Sequence, residues 1–378
     1  MVVTAAPAAA RFDSAVYRDR LSRAARAAAA AGLDAIVVTP GPDLRYLLGA
    51  TASTHERLTA LVVPAEGAAA VVAPRMERAS LGGSAVADLD LAVHEWVDGE
   101  DPYRLVARLI PGQGRFAVDE AMPALHTLPL ADALTRTPVL ATAVLRELRA
   151  VKDADEIAAL RRAGDAIDRV HARMAEFLQV GRTEREVADL IASAILDEGH
   201  QEVAFVVVGA GPHGADPHHE VSDRVVTRGD VVVVDIGGAV APGYYSDSTR
   251  TYVMGTPDPA VAERFAVLER AQQAAVDAVR PGVTATHVDR AARDLLVAAG
   301  LGEAFLHRTG HGIGLSVHEE PYIVTDDETV LRAGMAFSIE PGIYFPGRWG
   351  ARIEDIVVVT ESGSESLNRR PHGLTVLE

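Results

Sequence analysis

The sequence predicts two domains: a mixed α/β domain over residues 1–142, and a larger α+β domain over 156–378, joined by a helical linker at 143–155. Three observations carry this. At 378 residues the chain is longer than one hydrophobic core usually serves. Short apolar runs alternate with helical patterns in the first part, whereas long helices and valine-rich hairpin strands fill the second. Charge divides the same way: 13 basic and 16 acidic side chains up to 142, then 23 and 37 beyond it.

Taken in order, residues 14–31 are rich in Ala and Arg, good helix formers, and stop at Gly32. The run LDAIVVTP reads as a buried strand closed by Pro40, with further strands at 58–63 and 68–73. Residues 143–178 form one long helical pattern, broken where Asp153 and Glu156 make a capping-box pair. Helices are predicted at 184–198, 258–279 and 285–299. Strands are predicted at 202–208, 230–236, 244–254, 335–340 and 351–360.

Composition removes several chemistries. With no cysteine there are no disulfides, thiolate metal sites or cysteine nucleophiles. Lys152 is the single lysine, which leaves little room for Schiff-base catalysis. The net charge of −17 argues against a dominant nucleic-acid or anionic-membrane surface. No apolar run approaches the roughly 18 residues of a spanning helix. The opening MVVTAAPAAARFD lacks a basic stretch before its apolar one, unlike a signal peptide. The expectation is a cytoplasmic enzyme.

The acidic second part contains the candidate site. In VVVVDIGGAVAPGYYSDSTRTYVM, four valines lead to Asp235, and a return strand carries Asp247. Facing aspartates in a hairpin repel, so either a metal or Arg250 belongs between them, unless both merely cap turns. Glu340 ends the apolar strand of AGMAFSIEPGIYF. Glu354 lies inside a strand-like run, with Asp355 on the opposite face and Arg352 as one available partner. His307, His311 and His318 fall among glycines. A regular strand would put His311 and His318 on opposite faces, so their convergence needs a bulge. Four carboxylates and one imidazole are too many for one tetrahedral structural zinc but balance two divalent ions. Hard oxygens with one nitrogen suit Mn²⁺ and accept Co²⁺, Fe²⁺ or Zn²⁺. Two such ions roughly 3.5–4 Å apart share a water and lower its pKa, which is hydrolytic chemistry.

The motifs DIGG…GYYSDSTRT, HRTGHGIGLSVHEEP, SIEPGIY and RIED resemble those of the pita-bread metallopeptidases, in the aminopeptidase P and prolidase branch. The resemblance covers essentially the whole chain and implies a creatinase-like N-terminal domain followed by a pita-bread catalytic domain. It implies Asp235, Asp247, His311, Glu340 and Glu354 as metal ligands. It further implies His218 and His318 as substrate-side histidines, His307 as a pocket histidine, and Arg352 as an arginine near the acids. His213 and His219 flank His218 closely. Two departures stand out. The spacing from Asp235 to Asp247 is twelve, where many relatives have eleven. Tyr322 occupies the position where some prolidases carry an arginine for a dipeptide's carboxylate. Sequence leaves open whether Arg352 or another arginine substitutes.

The resemblance implies hydrolysis of the bond between an N-terminal residue and proline, with Glu340 as general base and acid. It also implies a homodimer. Dipeptidase and aminopeptidase both fit. A creatinase-like amidinohydrolase or lyase on the same fold is the alternative, and a non-catalytic peptide-binding module a weaker one, since all five ligand positions are intact.

Overall fold

The computed structural model describes residues 11–52 and 56–378, so the first ten residues of the opening segment lie outside the described residues. The chain divides into two compact units after Arg149.

In the first unit a six-stranded mixed sheet runs in the order Ala92–Trp96, Ala70–Pro74, Ala60–Pro64, Leu33–Val38, Arg115–Val118, Val139–Leu140. Leu33–Val38 is central and covered on both faces. That is why it reads as a continuous apolar run rather than an alternating one. The helix Ser14–Ala30 begins where the Asp13 side chain accepts from Ala15 N at 2.8 Å.

The second unit has two α/β halves. One is a four-stranded sheet ordered Thr375–Leu377, Tyr244–Met254, Val231–Val240, Glu202–Ala210. Helices Ala154–Ala172 and Glu184–Asp197 cover it. Both helices start with a complete capping box, Asp153 with Glu156 and Thr183 with Glu186. The other half is a five-stranded sheet ordered Glu319–Ile323, Gly310–Gly312, Ala336–Ile339, Asp355–Val359, Ser364–Ser366. Helices Pro259–Ala278 and Ala285–Ala298 pack on it through Phe265, Leu268, Val288 and Leu296.

Strand periodicity then aims the site. Val232, Val234 and Ile236 pack with Ile167, Val170 and Ile191 of the helices, so Asp235 turns to the opposite face. One expectation is corrected. The run 351–360 is two strands: Trp349–Arg352 pairs with Gly342–Phe345, and Asp355–Val359 pairs with Ala336–Ile339. The backbone changes partners at Ile353–Glu354, where Glu354 bridges to Thr249. No Gly or Pro interrupts residues 351–360, so pattern reading runs straight through the switch. Among the described residues no helix is long and apolar enough to cross a membrane.

Candidate metal centre

In the hairpin, Asp235 lies opposite Thr249 and Asp247 lies opposite Gly237. Alternation therefore puts both aspartates and Thr249 on the face turned away from the helices. His311 comes from the strand Gly310–Gly312, Glu340 from the end of Ala336–Ile339, and Glu354 from the strand switch. Asp247, His311 and Glu354 are 2–3% exposed, and their ligand atoms lie within 4.8 Å of one another. His311 Nε2 is 3.3 Å from Glu340 Oε1 and 3.6 Å from Asp247 Oδ2.

The polar bonds around this cluster orient it without satisfying it. His311 Nδ1 faces the Gly312 carbonyl at 3.1 Å, so that nitrogen carries the proton and Nε2 presents its lone pair to the acids. Burial pushes the His311 imidazole down to about 4, keeping it neutral and able to ligate. Ser338 Oγ donates to Glu340 Oε1 at 3.0 Å, and Thr249 Oγ1 to Glu354 Oε2 at 2.7 Å. Two buried carboxylate oxygens, Asp235 Oδ1 and Glu354 Oε1, have no hydrogen-bond partner among the described residues. Burial, reinforced by repulsion from Asp235 and Glu340 and, for Glu354, from Asp247, drives the Asp247 and Glu354 carboxyls well above their ordinary range. Orphaned hard oxygens beside a neutral imidazole are the donor set that divalent ions take. The residues fit such a group.

Neither arginine sits between Asp235 and Asp247 as their cation. Arg250 pairs with Asp355 at 2.7 Å, and Asp355 is turned away from the centre as strand alternation requires. Arg352 instead donates through Nη2 to Asp235 Oδ2 at 2.6 Å.

A cavity of about 600 Å³ opens on the cluster and brings together Asp235, Asp247, His311, Glu340 and Glu354 with His218, His307, His318, Arg308 and Arg352. His318 reaches His311 with ring centroids 4.2 Å apart, because the pairing of Gly310–Gly312 with Glu319–Ile323 shifts register between His311 and Gly312. Gly312 is needed there for close approach, since a Cβ would lie 2.5 Å from the Glu320 carbonyl. Burial pushes His318 down to about 4, so it too is a neutral N–H donor. His213 and His219 do not face this cavity's acids. Both bond to Glu184, at 3.0 and 2.8 Å.

Residues 158–361 match the model of metallopeptidase family M24, and residues 20–151 match the creatinase/prolidase N-terminal domain. The chain belongs to metallopeptidase family M24. Like its relatives in that family, the M24 chain is an enzyme. It is 65% identical to the probable dipeptidase PepE of Mycobacterium tuberculosis over 97% of this chain and 98% of the relative. The crystal structure of dipeptidase PepE from Mycobacterium ulcerans superposes with a TM-score of 0.94 at 65% identity, covering 97% of this chain and 100% of that one. The Xaa-Pro dipeptidase of Pyrococcus furiosus is 40% identical over 60% of this chain and 65% of its own length.

Several residues that shape the M24 site escape sequence reasoning. Tyr344 OH bridges His307 Nε2 at 2.8 Å and Arg352 Nη1 at 2.7 Å, which links His307 to Asp235 through the arginine. Thr249 serves both Glu354 and Arg352 Nε. Its place two residues after Asp247, on the same strand face, was the available signal. Glu184, fully buried, accepts from Ala210 N, His213, His219, Ser222 N and Ser222 Oγ, and so ties down the segment that carries His218. Nothing local marks Glu184, since its partners lie 26 to 38 residues away.

Proposed function

We propose that this chain is a dinuclear-metal dipeptidase that cleaves the bond between an N-terminal residue and proline. The observation that carries it is the pair of orphaned buried oxygens on Asp235 and Glu354 within a cluster of four carboxylates and a neutral His311. The names of the relatives, dipeptidase and Xaa-Pro dipeptidase, support the substrate class.

Asp235, Asp247, His311, Glu340 and Glu354 would hold two divalent ions, with Mn²⁺ the best match to four hard carboxylates and one imidazole. When bound, the ions supply Lewis acidity that polarises the scissile carbonyl and makes water nucleophilic near neutral pH. Glu340, oriented by Ser338, takes the proton of the attacking water and delivers it to the departing proline nitrogen. His318, neutral and beside His311, donates to the developing oxyanion, and His218 lies on the cavity wall to orient the prolyl residue. Arg352 holds Asp235 in place, and His307 supports Arg352 through Tyr344. Phe205, Val207 and Val317 give the cavity an apolar wall suited to a pyrrolidine ring, which has no N–H to satisfy. The working unit is proposed to be a homodimer.

The test is metal analysis together with proline release from Ala-Pro. Activity is expected to vanish on exhaustive chelation and return with Mn²⁺. Glu340→Gln is expected to abolish turnover with the fold retained. Full turnover after chelation, or in that variant, would refute the mechanism.

A further inference from the structure

A second group of metal-type donors lies outside the catalytic cluster. Glu184, His213 and His219 each offer a ligand atom, and these atoms all fall within 4.8 Å of one another. Glu184 opens the helix Glu184–Asp197 and is fully buried. The histidines come from the segment that follows the strand Glu202–Ala210. His213 sits in the short 3-10 turn Gly211–Ala215, and His219 lies two residues beyond Pro217. His213 Nδ1 is 3.0 Å from Glu184 Oε1, and His219 Nε2 is 2.8 Å from Glu184 Oε2. The two rings are close neighbours, with centroids 4.4 Å apart.

Hydrogen bonding does not by itself call for both rings. Glu184 already accepts from Ala210 N, Ser222 N and Ser222 Oγ, enough to satisfy a buried carboxylate. Burial works to raise this acid, but the bonds from Ala210, His219 and Ser222 outweigh it and hold Glu184 below its ordinary range. The carboxylate is therefore an anion. Arg224, whose charge reaches Glu184, is committed to Asp230 through bonds of 2.8 and 2.9 Å. Two imidazole nitrogens aimed at one buried anion form the inward-facing donor set of a cation site. Donors about 2.1 Å from a common ion stand roughly 3.0–3.4 Å apart, so each histidine–glutamate pair needs to open by at most about half an ångström. The His213 side chain is 36% exposed, which gives an ion entry from solvent and leaves water to complete its shell.

The donor types also set the two centres apart. Four carboxylates and one imidazole suit a hard ion, whereas two imidazoles and one carboxylate suit a borderline one such as Zn²⁺. We propose that Glu184, His213 and His219 bind a further divalent ion of the Zn²⁺ class. The ion clamps the start of the helix to the segment whose Pro217 and His218 line the catalytic cavity. The site shares no ligand with the catalytic cluster, so it stands independently of the hydrolase reading.

Equilibrium dialysis against Zn²⁺ alone counts the ions bound per chain, and anomalous diffraction at the zinc edge places them. The proteins compared are wild type, His213→Gln, and a variant carrying both Asp247→Asn and Glu354→Gln. Wild type is expected to show an anomalous peak between Glu184, His213 and His219 at a small excess of zinc. The double variant should keep that ion while its catalytic cluster loses zinc. In His213→Gln the amide still donates to Glu184, yet affinity at this site should fall by more than the roughly 10–100-fold lost with an outer partner of a metal ligand. Undiminished affinity in His213→Gln would overturn the assignment. So would a wild-type peak that is absent or appears only at millimolar zinc, an adventitious ion only, and that result needs no variant to fold. Zinc at Glu184 with none at the catalytic cluster of wild type would instead remove the dinuclear reading and leave this site standing.

Discussion

Replacing Glu354 by Gln should make the metal-free protein more stable and remove most of what a divalent ion adds. Glu354 is 2% exposed: one oxygen accepts from Thr249 at 2.7 Å and the other has no partner. Its ligand oxygen lies within 4.8 Å of that of Asp247. At that distance, and at an effective dielectric of about 20, two full charges repel by about 3.5 kcal/mol. The carboxyls escape part of this by retaining a proton, so the gain expected from the neutral amide is about 1–3 kcal/mol. For a domain of this size that is a rise in Tm of roughly 5 °C. The sign with pH follows from the raised carboxyls. Unfolded Asp and Glu lose their protons near pH 4, and above that the folded metal-free state binds more protons than the unfolded one. Its stability therefore falls as pH rises, and the advantage of Glu354→Gln should be absent near pH 4 and open towards neutrality. A metal at a hundredfold excess over its Kd should stabilise wild type by about 2.7 kcal/mol, reversing the order of the two proteins. Thermal unfolding in chelator and in Mn²⁺, at acid and neutral pH, reads all of this. A variant less stable than wild type in chelator near neutrality, with an equal response to Mn²⁺, would refute the reasoning.

Two further outcomes are expected. Glu184→Ala strips the acceptor from two backbone amides, two histidines and Ser222, and should cost about 3–5 kcal/mol by chemical denaturation, with a rise in KM as the segment carrying His218 loosens. His171 lies fully buried between Tyr252 OH and the Ser248 carbonyl, and burial pushes it down to about 3. Its contribution is present above about pH 6.5 and lost as pH falls through the folded value, so His171→Gln should flatten the acid limb of the stability curve in that window.

Much of the molecule is legible in one dimension because its signals are local. Asp153 and Glu156 cap a helix within four residues, and the valines before Asp235 announce a strand whose alternate face is apolar. Asp235 and Glu340 betray themselves as charges at the ends of apolar runs, where each is costly to bury alone, and Asp247 and Glu354 as acids within strand-like segments. The switch of strand partners at Glu354 is not local, nor is the register shift that turns His318 onto His311. Both depend on which sheet edge the backbone meets. The same holds for the fate of each arginine. Sequence places Arg250 and Arg352 near candidate acids without ranking them. Only the packed structure commits Arg250 to Asp355 and Arg352 to Asp235, and leaves Arg308 lying on Tyr322. The residue types and their periodicity determined the fold class and the donors. Long-range strand pairing decided which charges pair with which within the protein, because charge pairing is settled by three-dimensional distance, not by position along the chain.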